Sequence, residues 1–410
     1  RASRDAILAG KMDVDGDIQG AEQAIVRAVK TYTDTTVTSS DVTTYKNDIN
    51  TAWSALLAKQ ANWLVQEITM VPEVEVVSIG NLNITSGLND LQSLTTQLTG
   101  GTPGVLTFRA TGNLTVSSDI IDAPQKSLMF NAITWEDVYA PVSDGQRDSW
   151  DLNFVAGSDA TSARLQEINQ GSGNLVIGSA GNGKLVYTES GDITFTSGAN
   201  TTIYAYTGNS PFAYMPGTNT YNLASFDGSI SGSVGGNLTL NGGVIQTAVS
   251  DIEVQVGGNI DMGTSGTAGA IRTTGRAPIA TEVPFLDELL VAQPWLVDYL
   301  DSALLERYWQ YQDGGDIVLT ARGNITSKLT SSAEDDWEYA YDDQLLTLLQ
   351  GTDHAYQYGA NYGVGGGWFN GATSEKAASG IVTMAGGNIT LKGKNLVVQT
   401  GAFGEGDVDI

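Results

Sequence analysis

Residues 235–262 read GGNLTLNGGVIQTAVSDIEVQVGGNIDM, and the order of apolar and polar residues in this stretch determines the fold. Four apolar sets follow one another between short turns: Leu238 and Leu240, then Val244 and Ile245, then Ile252, Val254 and Val256, then Ile260 and Met262. Apolar–polar alternation is typical of a strand with one buried face. Because Gly236-Asn237-Leu238 returns as Gly258-Asn259-Ile260, 22 residues later, the stretch predicts one coil of a β-solenoid.

The same short pattern recurs along the chain: Gly, then Asn or Asp, then Ile or Leu, then a polar residue and usually an apolar one. Its copies begin at Gly16, Gly80, Gly112, Gly173, Gly191, Gly236, Gly258, Gly315, Gly323 and Gly387. Glycine and asparagine tolerate positive φ, so we expect each pair to turn a corner between strands. The 18 residues from Gly173 to Gly191 predict one coil, whereas the closer Gly315 and Gly323 predict successive strands of one coil.

An antiparallel sandwich or barrel is the alternative architecture. Antiparallel hairpins favour Asn-Gly or Asp-Gly in their turns. Here the order is mostly Gly-Asn or Gly-Asp at the entrance of a strand, and the repeat is nearly constant. These features favour a chain that is mainly all-β and folds as a parallel β-helix, a β-solenoid, with α-helical insertions.

Three segments break the strand pattern and carry apolar residues at helical spacing. Residues 20–68 predict a helical hairpin, with a first helix from Ala21 to Lys30 and a second one that follows Ser40 as its N-cap. Residues 281–312 predict a leucine-rich helical insertion, and residues 331–380 an acidic helix and a Gly-rich loop. Such apolar stripes are typical of helices packed on the solenoid flank, and a binding face is the alternative.

The predicted domain order follows from these segments. Solenoid coils occupy residues 1–19, 69–280, 313–330 and 381–410, and the helical insertions lie between them. Both ends of the chain read as cut, since it starts at Arg1 without a signal peptide and stops within another copy of the repeat, residues 406–410. We therefore expect the coils to continue beyond the chain end.

Composition excludes several classes of function. Asp and Glu number 46 against 20 Lys and Arg, a formal net charge of −26, which disfavours nucleic acid and anionic lipid as partners because both need a basic face. The chain has no cysteine, which excludes disulfides, thiolate zinc sites, iron–sulfur clusters and c-type haem attachment. No run of about 18 apolar residues is present, so no transmembrane segment is predicted.

Two runs carry a family resemblance: Gly-Gly-Asn-Leu-Thr-Leu-Asn-Gly-Gly at 235–243 and Gly-Gly-Asn-Ile-Thr-Leu-Lys-Gly-Lys-Asn-Leu at 386–396. They resemble the coils of filamentous-haemagglutinin-like exoproteins of two-partner secretion. The resemblance covers the strand-rich parts of the chain. It implies a right-handed parallel β-helix, export through a partner barrel in the outer membrane, and a released or cell-surface fibre that is often an adhesin.

Catalysis is not predicted. The single histidine, His354, lies among Gly and Tyr residues, which is typical of a surface loop, and neither a Gly-x-Ser-x-Gly elbow nor a P-loop is present. Parallel β-helices can carry paired carboxylates about 5–10 Å apart for glycoside chemistry. Nothing in this sequence singles out such a pair, and the fold alone cannot carry that inference.

Asp13, Asp15 and Asp17 are the candidate metal ligands. Their spacing places the three carboxylates on one face of a strand, where they repel one another unless solvated or bridged by a cation. The EF-hand pattern fails because Ala24 stands where a glutamate is needed, and the nonapeptide calcium repeat is absent. The pattern predicts weak calcium binding at most, with a solvated acidic face as the alternative and no other cofactor.

Trp337, Tyr339 and Tyr341 are the candidate ligand-binding residues, in a stretch that mixes aromatic and acidic side chains. Such a mixture can bind sugars by stacking or bind cationic peptides, and an exposed acidic helix with packed aromatics is the alternative. We expect the Asn-x-Thr sequences to be by-products of the repeat rather than glycosylation sites. They begin at Asn83, Asn113, Asn200, Asn237, Asn324 and Asn388.

These observations predict a structural or adhesive shaft, part of a large secreted protein at a bacterial cell surface or outside the cell, and not an enzyme. One alternative is a surface-layer or end-to-end filament subunit. A second is a polysaccharide-binding or polysaccharide-cleaving β-helix protein. The expected partners are the outer-membrane secretion barrel, through the resemblance, and neighbouring copies or surface glycans.

Overall fold

The structure is a computed structural model that describes residues 2–3, 24–45, 47, 68–86, 88, 104–122, 149–160, 162, 164–188, 190–206, 222–225, 227–263, 269–273, 275, 313–328, 380–383, 386–402 and 406–410. Strands dominate these ranges, and a short helix spans residues 39–45. No helix in these ranges is long and apolar enough to cross a membrane. The predicted insertion at 281–312 lies outside the described residues, as does all of 331–380 except Gly380.

The described residues form strands β1–β27, numbered in chain order, in three sheets. Sheet A contains β1 (Ala2–Ser3), β2 (Ala24–Thr33), β4 (Ile68–Ser78), β6 (Val105–Ala110), β9 (Asp151–Ala156), β12 (Ile193–Ser197), β15 (Ile230–Val234), β18 (Ile252–Val256), β21 (Ile317–Ala321), β24 (Ile389–Lys392) and β27 (Val408–Asp409). Sheet B contains β3 (Thr36–Val37), β5 (Leu82–Ile84), β7 (Leu114–Val116), β10 (Leu175–Ile177), β13 (Thr201–Tyr204), β16 (Leu238–Asn241), β19 (Ile260–Asp261), β22 (Ile325–Thr326) and β25 (Leu396–Val397). Sheet C contains β8 (Ile120–Asp122), β11 (Val186–Thr188), β14 (Leu223–Ser225), β17 (Val244–Thr247), β20 (Ala270–Thr273), β23 (Gly380–Thr383) and β26 (Thr400–Ala402).

The chain winds from sheet A to sheet B to sheet C and back, and neighbouring strands within each sheet are parallel. Residues 235–262 form one such coil, because Leu238 of β16 pairs with Ile260 of β19. Ile230 of β15 pairs with Ile252 of β18 in the same way on sheet A. The predicted parallel β-helix is confirmed, and the antiparallel alternative is wrong. With 11 strands in sheet A, the helix is about 48 Å long at ~4.8 Å per coil.

The core is one continuous apolar column enclosed by the three sheets. Leu238, Ile260 and Ile389 are fully buried, as the repeat predicts. Within a strand the buried residues flank an outward one, so that partly exposed Thr239 lies between buried Leu238 and Leu240. Burial of each such aliphatic side chain contributes about 1.5–3 kcal/mol, which makes the stacked column the main source of stability.

The repeat motif marks two different corners of the coil rather than one. Gly173 precedes β10 of sheet B, whereas Gly191 precedes β12 of sheet A. The 18-residue interval between them is therefore not a coil, and Leu175 of β10 pairs instead with Thr201 of β13. Gly315 and Gly323 do precede successive strands of one coil, β21 and β22, as predicted.

The predicted helix from Ala21 to Lys30 is wrong, because Ala24–Thr33 is strand β2. This strand pairs in parallel with β4 over ten residues, from Ala24 with Ile68 to Thr33 with Val77. The segment is rich in β-branched and aromatic residues, which favour strands. Its apolar residues fit both the two-residue period of a strand and the 3.6-residue period of a helix. Pairing with β4 makes the segment a strand.

The short helix begins two residues earlier than predicted. The helix starts at residue 39, so Thr38 rather than Ser40 is the N-cap. The Asp41 carboxylate accepts hydrogen bonds from the Thr38 backbone N–H (2.8 Å) and hydroxyl (2.6 Å). The bond from the Thr38 N–H to the Asp41 side chain is one half of a capping box, with aspartate in the place of glutamate.

Candidate functional site

The corner between sheets A and B carries an asparagine in every coil from β5 to β25, and we call this set the amide column: Asn81, Asn113, Asn174, Asn200, Asn237, Asn259, Asn324 and Asn395. Each backbone N–H from Asn113 to Asn324 donates to Oδ1 of the previous asparagine, at 2.8–3.1 Å. Asn395 donates instead from Nδ2 to Oδ1 of Asn324 (2.9 Å). The column therefore links successive coils through side-chain oxygens.

Glycine precedes six of these eight asparagines, Ala199 and Lys394 being the exceptions, and at most of the six the reason is close approach rather than positive φ. Among the described motif glycines, positive φ occurs at Gly80 and Gly173 and not at the others, and no asparagine has it. A Cβ on Gly112 or Gly236 would lie 2.5 Å from Oδ1 of Asn81 or Asn200 in the preceding coil. The expectation of left-handed corners is thus wrong at most copies, and glycine leaves room for the amide below it.

One outward side chain from each strand of sheet B between β5 and β25 lies beside the amide column. We call this set the hydroxyl column, since threonine is its commonest residue: Asn83, Thr115, Val176, Thr202, Thr239, Asp261, Thr326 and Val397. All eight are partly or fully exposed, and Asp261 is their one charged member. The amide and hydroxyl columns together form the sheet B face.

The corner between sheets C and A carries a different set, which we call the acidic column: Asp151, Asp192, Ser229, Asp251, Asp316, Asn388 and Asp407. Its hydrogen bonds resemble those of the amide column. Oδ1 of Asp251 accepts the backbone N–H of Asp316 (2.8 Å), and Oδ1 of Asp316 accepts that of Asn388 (2.7 Å). Both corners need an oxygen acceptor, which asparagine and aspartate supply equally, yet one corner is neutral and the other carries five carboxylates.

Asn237→Ala tests the amide column. The substitution removes the acceptor for the Asn259 N–H and is expected to lower the free energy of unfolding by about 1 kcal/mol. Asn237→Asp keeps Oδ1 and should cost less. Thr239→Ala, on the next strand, is the matched control and should change stability by less than about 0.5 kcal/mol. Urea denaturation measures all three, and equal losses in the alanine and aspartate variants would contradict the acceptor role.

Asp316→Asn tests the acidic column. The variant keeps the Oδ1 acceptor and relieves repulsion from Asp251, about 4.8 Å away along the sheet. We expect stability to rise by about 0.5 kcal/mol at low ionic strength, and the gain to vanish near 1 M NaCl, where the Debye length is ~3 Å. Glu253→Gln, which removes a charge between Ser231 and Val318, is the control. Thermal melts at both salt concentrations check the result; a gain independent of salt would contradict it.

The outward face of sheet C and the first coils of sheet A are less accessible than the sheet B face, whereas Ser233, Glu253 and Gln255 on later strands of sheet A are exposed. On sheet C, Tyr187, Val244 and Arg272 point outward and are 2%, 5% and 1% exposed. On the first coils of sheet A, Glu75 and Arg109 form a buried ion pair with 2.7 Å between Oε1 and NH1.

A segment between β9 and β10, described at residues 157–160, 162 and 164–173, contacts this ion pair at the corner between sheets A and B. NH2 of Arg109 donates to the backbone carbonyl of Asp159 (2.6 Å) and more weakly to that of Ser162 (3.5 Å). An antiparallel β-bridge between Ser158 and Ile168 joins the two halves of this segment. The guanidinium therefore ties a surface segment to the sheet.

Two tyrosines, Tyr32 and Tyr45, pack against each other where the short α-helix meets strand β2. The Tyr45 hydroxyl donates to Oδ2 of Asp34 (3.0 Å), and its ring lies 4.3 Å from that of Tyr32. Burial, reinforced by the hydrogen bond and charge of Asp34, raises the pKa of Tyr45. The phenol therefore remains a protonated donor, which is a structural role.

The structure describes only some of the candidate residues that the sequence predicts. Asp13, Asp15 and Asp17, Trp337, Tyr339 and Tyr341, and His354 lie outside the described residues, so the calcium and aromatic-ligand predictions stay predictions. In the part of the chain that the structure describes, no group of three or more His, Asp or Glu side chains is placed to hold a metal ion. Of the Asn-x-Thr asparagines, four belong to the amide column, Asn83 to the hydroxyl column and Asn388 to the acidic column.

Comparison of the chain with protein-family models, with curated proteins and with solved structures found no match.

Proposed function

We propose that this chain forms part of an extracellular structural or adhesive shaft, carried by a larger secreted protein similar to the filamentous-haemagglutinin-like exoproteins, and that its role is not catalytic. Export through a partner barrel to a bacterial cell surface belongs to the same proposal, and so do surface glycans or neighbouring copies as partners. The coil repeats of Gly-Asn-Leu-Thr-Leu type support the family assignment.

One observation carries the proposal: the coil keeps its register however much sequence separates successive strands. Asn237 and Asn259 are 22 residues apart, Asn259 and Asn324 are 65 apart, and the same N–H to Oδ1 bond of 2.8 Å links both pairs. A cross-section that stays constant through intervals of such different length favours a continuous rod. Stability then adds up from nearest-neighbour contacts, which suits a load-carrying shaft.

The proposal is tested on the native source with antibodies raised against the purified chain. We expect intact cells or the culture medium to be labelled, and the native antigen to have a mass well above 43.1 kDa. Deleting the coding region should reduce attachment of the cells to surfaces. Labelling that requires cell lysis would contradict the extracellular location, and unchanged attachment would contradict the adhesive role.

A further inference from the structure

The sheet B face is accessible on every coil from β5 to β25, whereas sheet A is open only on its later coils, at residues such as Ser233 and Glu253. All eight residues of its hydroxyl column are partly or fully exposed, from Asn83 on β5 to Val397 on β25. Outward residues of sheet C such as Tyr187 and Arg272 are nearly inaccessible, and so is Arg109 on sheet A. A ligand that lies along the helix can therefore contact successive coils on the sheet B face.

The face also carries little charge for a strongly acidic chain, since Asp261 is the one charged residue of its two columns. Eight asparagines occupy the amide column, whereas the acidic column uses aspartate at five of seven positions for the same N–H to oxygen bond. A bond from Nδ2 of one asparagine to Oδ1 of the asparagine before it could favour asparagine over aspartate. In the described part of the amide column three of the eight asparagines donate this bond: Asn174, Asn200 and Asn395. The coil's own hydrogen bonds therefore do not account for a corner without carboxylates.

The chemistry of the face indicates what it can bind. Amide groups repeat every ~4.8 Å along the amide column, and four threonine hydroxyls lie in the column ~6.7 Å away, at Thr115, Thr202, Thr239 and Thr326. Amides and hydroxyls can both donate and accept hydrogen bonds. A protein partner would need apolar or aromatic anchors, and the face offers Val176 and Val397, with Tyr204 at the end of β13 beside it. Anionic ligands, and a second copy with its net charge of −26, are repelled by the rest of the molecule.

We propose that the sheet B face binds a neutral, hydroxyl-rich polysaccharide chain that lies along the helix axis. This proposal rests on the proposed adhesive function, and it names the class of ligand and the surface that binds it. Regularly spaced donors and acceptors match a polymer of repeating hydroxyls, and many weak contacts along successive coils add up to avidity.

The test is co-sedimentation of the full chain with insoluble cellulose, chitin and mannan. We expect wild-type protein to bind at least one of them, and Thr202→Glu/Thr239→Glu to weaken that binding at least tenfold. Both threonines point outward from β13 and β16, so the fold should persist. Thr194→Glu/Ser231→Glu is the matched control: it adds the same charge to the neighbouring strands β12 and β15 on the outward face of sheet A and should bind like wild type.

Three results would overturn the inference: no binding of wild-type protein to any of the three polysaccharides, equal loss in the sheet A control, or full binding by Thr202→Glu/Thr239→Glu. The single variant Thr239→Glu replaces the double variant if circular dichroism shows that the latter is unfolded. Concentration-dependent self-association that the sheet B substitutions abolish would assign the face to a second copy and also overturn it. A negative result in the polysaccharide-binding test would not contradict the proposed shaft, because surface labelling and native mass are measured independently of glycan binding.

Discussion

Gly232→Ala is expected to destabilise the helix by about 3 kcal/mol, the upper end of the usual cost of overpacking a core. Gly232 on β15 is paired with Phe195 on β12, whose ring fills the space that a side chain would occupy. A Cβ at this position would overlap Cζ of Phe195 and lie 2.7 and 2.8 Å from Cε2 and Cε1. The ring cannot retreat, since Phe154 is the next residue of its column and is itself fully buried.

Urea denaturation followed by circular dichroism measures the loss. Phe195→Leu/Gly232→Ala should be more stable than Gly232→Ala alone, because the shorter side chain makes room for the added methyl group and the two sites are directly coupled. Ser233→Ala, at the exposed neighbouring position, is the control for adding alanine to this strand. A Gly232→Ala variant within about 0.5 kcal/mol of wild type would contradict the assigned packing.

Arg109→Met is expected to cost about 3–5 kcal/mol, because it leaves the Glu75 carboxylate buried without its cation. The variant also removes the donor to the Asp159 and Ser162 carbonyls, so residues 157–173 should loosen. Trypsin provides a readout of that loosening, since Arg164 in this segment is exposed. We expect cleavage after Arg164 to accelerate at temperatures well below global unfolding.

Arg322→Met, at an exposed position on a distant coil, is the matched control and should change neither stability nor cleavage at Arg164. Glu75→Gln/Arg109→Met removes both charges and should recover part of the stability, because no isolated charge then remains buried. It should not restore protection from trypsin, since the carbonyl contacts stay lost. Unchanged cleavage in Arg109→Met would show that the ion pair does not hold the segment.

The coil itself could be predicted from the sequence because its signals are local. Alternation around Thr239 marks one buried face, and the return of the Gly-Asn pair at Gly258 sets the repeat. The same reasoning failed at Ala24–Thr33, where local periodicity allowed a helix and pairing with β4 made a strand. Propensity is a weak prior that a neighbouring strand overrides.

The two corner columns could have been found in part from the sequence. Copies with Gly-Asn, such as Gly236-Asn237, lie mostly at the neutral corner, and copies with Gly-Asp, such as Gly315-Asp316, lie at the acidic one. Gly387-Asn388 breaks the rule, and irregular spacing between copies hides which corner each one occupies. The sorting of charge therefore becomes visible only when the strands are placed in their sheets.

Sequence alone determined that this chain stacks short parallel strands around an apolar column, because glycine, asparagine and two-residue alternation act within a few residues of each other. Tertiary structure alone decided which coils touch: that the Phe195 ring fills the space above Gly232, that Arg109 reaches Glu75 and the segment 157–173, and that asparagine and aspartate occupy separate corners. These contacts join residues from different coils. Their register depends on intervals that vary from 19 to 72 residues in the two columns, and nothing local in the sequence fixes it.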